Sequence, residues 1–390
     1  MADPEPRAAT SGGRVYFPEL DGLRFVAFMS VFIYHLAPLP FHGWEDNAFL
    51  GWFRRNGWMG VDLFFVLSAF LLTVLLMEEH RRAGSIDLRA FIIRRSLRIW
   101  PLYFLVVALA FSQLGIESYL SAADGMAVEQ LQKYLLPFLL FAGNISVAVL
   151  GFPESSLLGN LWTISVEEQF YLILPLALVW ISARRRGVLW LAASFAATAA
   201  ATRYYLTANG ASTAASHFLA PARLDAFAAG IVVAVLLGNR DSIRRFSGRH
   251  AAVAIVAVIS FAALIAAWSG ADMETPGWHI VSMYTVGAVG CGGLLATVLL
   301  VAPIRKVLGL PALRYLGRIS YGLYVYHWIG IKIGLVVVAR LGMTDGIALA
   351  AGSVISFTAT AAIAAASYHY FERRFLVIKS RFEIVASRAA

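Results

Sequence analysis

Charge and cysteine are what this chain has least of. Only 14% of its 390 residues are charged, against roughly 25% in a typical soluble domain, so an ordinary water-exposed globule is excluded. Cys291 is the single cysteine, which rules out an internal disulfide and a cysteine metal site. The histidines in or near loops, among them His42, His80, His217, His250, His279 and His369, show no ligand spacing, so no metal is expected. No HExxH, GxSxG or phosphate-loop pattern occurs, which sets aside the zincin, hydrolase-elbow and P-loop chemistries. The start, MADPEPRAATSGGRVYFPEL, is polar and lacks an apolar core with a small-residue cleavage site, so it does not read as a secretory leader. No low-complexity linker, internal repeat or appended soluble domain is expected.

Apolar sequence fills the space instead. Hydrophobic residues make up 59% of the chain, in recurring windows of about 20 that suit membrane-spanning helices. The net charge of +9 does not point to nucleic acid, because the basic residues sit in short loops between apolar segments. Those clusters are Arg81 to Arg98, Arg184–Arg186, Arg240 to Arg249, Arg305 to Arg318 and Arg373 to Arg388. Placing them on the cytoplasmic side gives spans at about 20–41, 59–78, 99–115, 168–183, 188–207, 222–238, 251–268, 279–302, 319–340 and 346–370. The expected fold is therefore an all-α polytopic membrane bundle of about ten transmembrane helices, with both termini cytoplasmic. Residues 1–15 read as a polar tail, 16–375 as one membrane domain and 376–390 as a basic tail. The leftover apolar stretch at 133–150 is interrupted by Pro137, Gly143 and Asn144. Parity argues against its crossing, so it reads as an external or re-entrant segment packed on the bundle.

Ionisable residues inside apolar helices are costly and tend to mark function. In LDGLRFVAFMSVFIYHL, Arg24 and His35 are eleven positions apart, which is about three helical turns, on one face and roughly 16 Å apart in rise. A cationic donor at the rim and a titratable base near mid-depth suit a site that binds an anion and acts on something beyond it. In GWMGVDLFFVLSAFLLT, Asp62 near the outer boundary either complements its helix dipole or serves the site. In FIIRRSLRIWPLYF, Arg95 and Arg98 share a helical face. They either anchor the cytoplasmic rim or fork onto the oxygens of a polyphosphate or phosphoadenosine group. In GNLWTISVEEQFYLILP, Glu167 and Glu168 stand where the chain enters lipid. They point about 100° apart, so at most one is expected to face a cavity. Arg223 and Asp225, at the outer end of the sixth span, pair with each other or with another helix, or contact a ligand. His327, in LGRISYGLYVYHW, reads as a packing residue on an aromatic-rich helix.

Taken in order, LDGLRFVAFMSVFIYHL, GVDLFFVLSAFL, RRSLRIWPLYF, LWTISVEEQFYLILP, RLDAFAAG, LGRISYGLYVYHW and YFERRF resemble the acyltransferase 3 family of integral membrane O-acyltransferases, from about residue 16 to 375. The chain departs from the usual pattern at Ala69, Gly322 and Arg374. The resemblance implies transfer of an acyl group, commonly acetyl, from cytoplasmic acyl-CoA to a hydroxyl, usually on a carbohydrate. It places the family's Arg-x10-His pair on Arg24 and His35, its RxxR on Arg95 and Arg98, and its paired glutamates on Glu167 and Glu168. The implied catalytic set is His35 as general base with Asp62, Glu167 or Glu168 orienting it. Arg24, Arg95 and Arg98 would hold acyl-CoA, with acetyl-CoA the leading candidate, and Arg223 and Asp225 the acceptor. An acyl-His35 intermediate is the alternative chemistry. The expected acceptor is a carbohydrate, a lipid-linked sugar or a glycosylated natural product. The expected setting is a bacterial inner membrane, in contact with its lipids. A transporter or flippase of a sugar or lipid-linked substrate is the rival reading, but it would more often show inverted repeats and matched broken helices.

Overall fold

The computed structural model describes residues 15–36, 51–53, 56–121, 129, 131–269 and 277–385. Nearly all of the predicted N-terminal tail, His42 and the last five residues lie outside that range. Among the described residues the chain is helical and contains no strand. Each predicted span coincides with a helix: α1 (Glu19–Leu36), α2 (Met59–Ala83), α3 (Leu88–Ser121), α4 (Trp162–Trp180), α5 (Arg185–Ala208), α6 (Leu224–Leu237), α7 (His250–Ser269), α8 (His279–Leu300), α9 (Ser320–Arg340) and α10 (Asp345–Ser367). Six helical segments, built on α2 and α6 to α10, are long and apolar enough to cross a membrane by length and composition. The other four, α1, α3, α4 and α5, carry Arg24, Arg95, Arg98, Glu167, Glu168 and Arg203.

Local signals set several ends. Asp87 accepts a hydrogen bond from the Ala90 amide at 2.9 Å and caps α3, as a short acidic side chain does for an orphan donor. Gly84 ends α2 with φ of +73°, its amide returning to the His80 carbonyl at 2.9 Å. That left-handed conformation is open to glycine at no steric cost. Two spans differ from expectation in length. The RxxR pair belongs to the same continuous helix as the third span, because Leu88–Ser121 runs unbroken through Pro101. Helix α4 starts at Trp162, six residues before the predicted entry at 168, so its glutamates lie in the second turn instead of at the boundary.

The stretch at 133–150 lies in two short helical runs, 131–139, which opens with a wide turn at Leu131–Leu135, and Gly143–Leu150, broken at Phe141, where φ is +53°. At no more than about 14 and 12 Å long, neither can cross a hydrocarbon core of about 30 Å. The Tyr103 hydroxyl donates to the Phe138 carbonyl at 2.7 Å, and Gln169 on α4 donates to the Phe141 carbonyl and to Asn144, both at 2.9 Å. The segment is thereby fastened to α3 and α4.

Helix packing follows from small residues. Lipid tails are as apolar as leucine, so close backbone approach has to supply the attraction between helices. The Gly330 and Gly334 pair on α9 shows this. A Cβ at either site would collide with Ser356 or Thr360 of α10, and α9 and α10 pack along much of their length. Helix α1 is enclosed by α2, α9 and the short helix Pro311–Arg318, and it buries Leu20, Leu23, Ala27, Phe28 and Val31 on the face it presents to them. Past α10 the chain continues through a single wide turn into a helix at Arg373–Ser380. Arg94 on α3 donates to the Phe382 carbonyl at 2.8 Å, which holds residues of the predicted basic tail against the bundle.

Candidate active site

Three arginines from two helices face one cavity. Arg24 from α1 and Arg95 and Arg98 from α3 line a space of about 90 Å³ together with Ser68, Glu167 and Tyr171. Arg24 has a loose ion pair with Asp21, at 3.7 Å. Glu167 accepts a short hydrogen bond from the Ser68 hydroxyl, 2.5 Å, and Tyr171 closes on the same hydroxyl at 3.4 Å. Of the two adjacent glutamates, Glu167 faces this cavity. Glu168 turns away and accepts from the Trp100 indole at 3.1 Å. A second small cavity shares Arg98 and Tyr321 with the first and adds Arg318, Arg373 and Lys379. The basic groups collect at this end of the bundle: Arg240 reaches the Tyr16 carbonyl at 3.2 Å and Arg314 its hydroxyl at 3.3 Å.

A larger cavity, about 560 Å³, lies toward the His35 end of α1. That volume falls in the usual range for a small-molecule site. Its walls include Tyr34, Trp58, Trp162, Phe218, Tyr284 and Trp328, with His35 and His217 among them. Among the described residues, only Val61 and Tyr324 line both this cavity and the three-arginine cavity. The two spaces therefore meet across the Tyr324 side chain. Its hydroxyl receives a hydrogen bond from Thr163 at 3.0 Å and lies 3.2 Å from the Asn160 carbonyl.

His35 contacts a residue that the sequence reading assigned to packing. His327 Nε2 is 2.9 Å from His35 Nδ1, and His327 Nδ1 is 2.6 Å from the Tyr324 carbonyl one turn earlier. The ring centroids are 4.9 Å apart with 23° between planes. With so short a nitrogen contact, the rings meet edge to edge and nearly coplanar; they are not stacked face to face. Phe28 packs edge-on to His327, and Trp328 flanks His35. No carboxylate among the described residues is hydrogen-bonded to either imidazole.

The remaining predicted residues form a separate charged layer. Asp62 and Arg223 make a buried ion pair, at 2% and 0% exposure, joining α2 to the turn before α6. Arg223 also lies over the Tyr284 ring, 4.2 Å from its centroid. Asp225 pairs with Arg203 of α5 at 2.8 Å, and Thr285 donates to the same carboxylate at 2.9 Å. Arg223 and Asp225 are thus each committed to another helix, and neither lines the aromatic cavity. Their ion pairs stand behind Trp58, Tyr284 and His217, which do.

The structure thus brings Arg24, Arg95, Arg98 and Glu167 together and sets His35 at the adjoining cavity. It places Asp62, Glu168, Arg223 and Asp225 outside both. His327 and Arg203 were missed. Arg203 carried a readable signal, since it is an arginine inside the predicted span 188–207, where charge is costly. His327 carried the same signal, a second imidazole at membrane depth.

With this geometry in place, the chain can be assigned by comparison. The model of the acyltransferase domain matches residues 17–369, and the chain belongs to that family of acyltransferases. It is similar to a candidate O-acetyltransferase of Staphylococcus aureus strain COL, 26% identical over 335 residues, which covers 80% of this chain and 50% of that protein. It is similar to the peptidoglycan O-acetyltransferase OatA of Listeria monocytogenes, 27% identical over 330 residues, covering 83% and 50%. A candidate peptidoglycan O-acetyltransferase of Bacillus subtilis, YrhL, is 34% identical over 166 residues, covering 42% and 24%. The chain spans about half the length of the first two relatives. No solved structure matches it. Several apolar helices and these bacterial relatives make it a multi-pass membrane protein.

Proposed function

We propose that this chain is an O-acyltransferase of a bacterial inner membrane that moves an acyl group, acetyl by analogy with its relatives, from cytoplasmic acyl-CoA to a hydroxyl of a carbohydrate or glycosylated acceptor. The observation that carries this reading is the meeting of two cavities at Tyr324, one that sets three guanidiniums among apolar residues such as Phe64, Leu71 and Ile164, and the other walled largely by aromatic rings, with no arginine among its described lining residues. Arginine forks suit phosphate oxygens. Aromatic walls with a few polar groups suit the apolar face of a sugar ring. Ten crossings with both termini cytoplasmic fit the clustering of basic loops at the Arg24 end, the pattern expected of cytoplasmic loops.

In this reading the nucleotide end of acyl-CoA docks among Arg318, Arg373 and Lys379, which are continuous with Arg98. Arg24, Arg95 and Arg98 hold the phosphates, with Glu167 and Ser68 ordering them. The pantetheine arm passes Tyr324, and the thioester lies beside His35. The acceptor enters the aromatic cavity from the opposite side. His35 takes the hydroxyl proton as the oxygen attacks the thioester carbonyl. The carbon–sulfur bond then breaks, and the proton passes from His35 to the departing thiolate, so ester and CoA thiol form in equal amounts. Asp62–Arg223 and Asp225–Arg203 brace the wall against which the acceptor rests.

The test is thiol release from acetyl-CoA by the purified protein in lipid nanodiscs, with N-acetylglucosamine-containing oligosaccharides as acceptor. Acceptor-dependent release that disappears in His35→Ala is expected. Release at the parent rate in that variant would defeat the base assignment. Acceptor transport with no thiol release would replace the enzyme by a carrier.

A further inference from the structure

We infer that His327 is the positioning residue of the site: it fixes the tautomer of His35 so that Nε2 is the base nitrogen. The inference rests on the His35 base reading and deepens it. It follows from which atoms can donate. A carbonyl oxygen only accepts, so the 2.6 Å contact to the Tyr324 carbonyl puts the hydrogen of His327 on Nδ1. In a neutral imidazole the other nitrogen is then an acceptor. His327 Nε2 therefore receives the hydrogen of His35 Nδ1 across 2.9 Å. His35 Nε2 is left with a bare lone pair, on a ring that lines the aromatic cavity.

The arrangement performs the task of the carboxylate in a serine protease triad, which holds the imidazole in one tautomer and orientation. It does so without a charge. Asp62, Glu167 and Glu168 are occupied by Arg223, Ser68 and Trp100, so none of them is the partner of His35 Nδ1. When Nε2 takes the acceptor's proton, the Nδ1–H···Nε2 bond becomes a charge-assisted one, stronger than the neutral bond it replaces. The stabilisation thus appears only as the reaction proceeds, which is where it accelerates the step. His327 is 0% exposed and fixed by its own helix, so the pair is preorganised.

Two measurements test this. In the parent protein labelled with 15N-histidine, the His35 signals, identified by their loss in His35→Ala, should show a hydrogen on Nδ1 and none on Nε2. In kinetics, His327→Phe should lower kcat by about 10²-fold or more, within the range of positioned acid–base catalysis, with KM for acetyl-CoA little changed. His327→Gln should recover part of the loss, because its amide oxygen can accept from His35 Nδ1–H. A residue that only fills space would give Phe and Gln variants of similar activity and would not split kcat from KM. A hydrogen on Nε2 of His35 in the parent, or parent-like kcat in His327→Phe, would overturn the proposal. If His327→Phe fails to fold, the nitrogen signals of the parent decide. Full activity in His327→Phe with loss in His35→Ala would sink this proposal alone; full activity in both would sink the base reading.

Discussion

Arg223 offers a clear separation between a brace and a ligand. The sequence placed it among acceptor-binding residues, whereas its guanidinium is paired with Asp62 and lies over Tyr284. Replacing it with methionine keeps much of the volume and strands the Asp62 carboxylate in a site 2% exposed. Removing one partner of such a buried pair costs about 3–5 kcal/mol, chiefly because the remaining charge is left uncompensated. The unfolding entropy of a chain this long is about 0.8 kcal/mol/K, at about 2.1 cal/mol/K per residue, so Tm should fall by about 4–6 °C. Pairing the change with Asp62→Leu removes both charges, and well-packed apolar replacements of a buried ion pair are often neutral. The double variant should therefore recover most of the lost stability, with a coupling of about 3 kcal/mol in the cycle. The assay is thermal unfolding of the four proteins in one detergent, alongside KM for the acceptor. Arg223→Met with parent-like Tm but an acceptor KM raised about tenfold would refute the brace and return Arg223 to the binding site.

Arg95→Ala or Arg98→Ala should raise KM for acetyl-CoA more than for the acceptor, with lysine rescuing only in part because it lacks the planar fork; competition with dephospho-CoA checks whether the 3′-phosphate is what is held. Gly330→Val should destabilise the α9–α10 contact by about 1–3 kcal/mol through overpacking and lower kcat by displacing His327 one turn away, read as Tm and turnover together. Cysteines introduced at Arg185, Phe246 and Arg381 should label from the cytoplasm and one at exposed Glu154 from the other side, with buried Cys291 silent; labelling of 154 and 185 from the same side would break the ten-crossing order.

Most of the fold was legible because hydropathy and basic loops are long-range, averaged signals, and each predicted span has its helix. What failed was depth. The start of α4 was put at 168 because Glu167 and Glu168 look like a boundary. In the protein they are a turn further in, where Ser68 donates to Glu167 and Trp100 to Glu168. Arg24, Arg95 and Arg98 line one cavity, and their grouping was readable because a rim arginine on one helix and a pair at i, i+3 on another can be seen along single helices. The partners of Asp62, Asp225 and His35 lie 161, 22 and 292 positions away. Periodicity cannot see such pairings, so a carboxylate was expected where an imidazole stands.

Tyr324 has a second consequence, for the cell's energy supply. A reaction centre approached from both faces of a membrane lies along a path through which ions and water could pass. In the proposed reaction such a path would run between the two cavities, which share the Tyr324 ring and Val61 as lining, and Thr163 and Asn160 hold the phenol at its far end. In that two-sided reaction, what would separate the two cavities is the Tyr324 ring together with Val61. If acyl-CoA is the donor proposed above, its pantetheine arm would have to fill the gap it opens and so double as the stopper. Shortening Tyr324 to alanine would then show as a collapse of the proton gradient in intact vesicles.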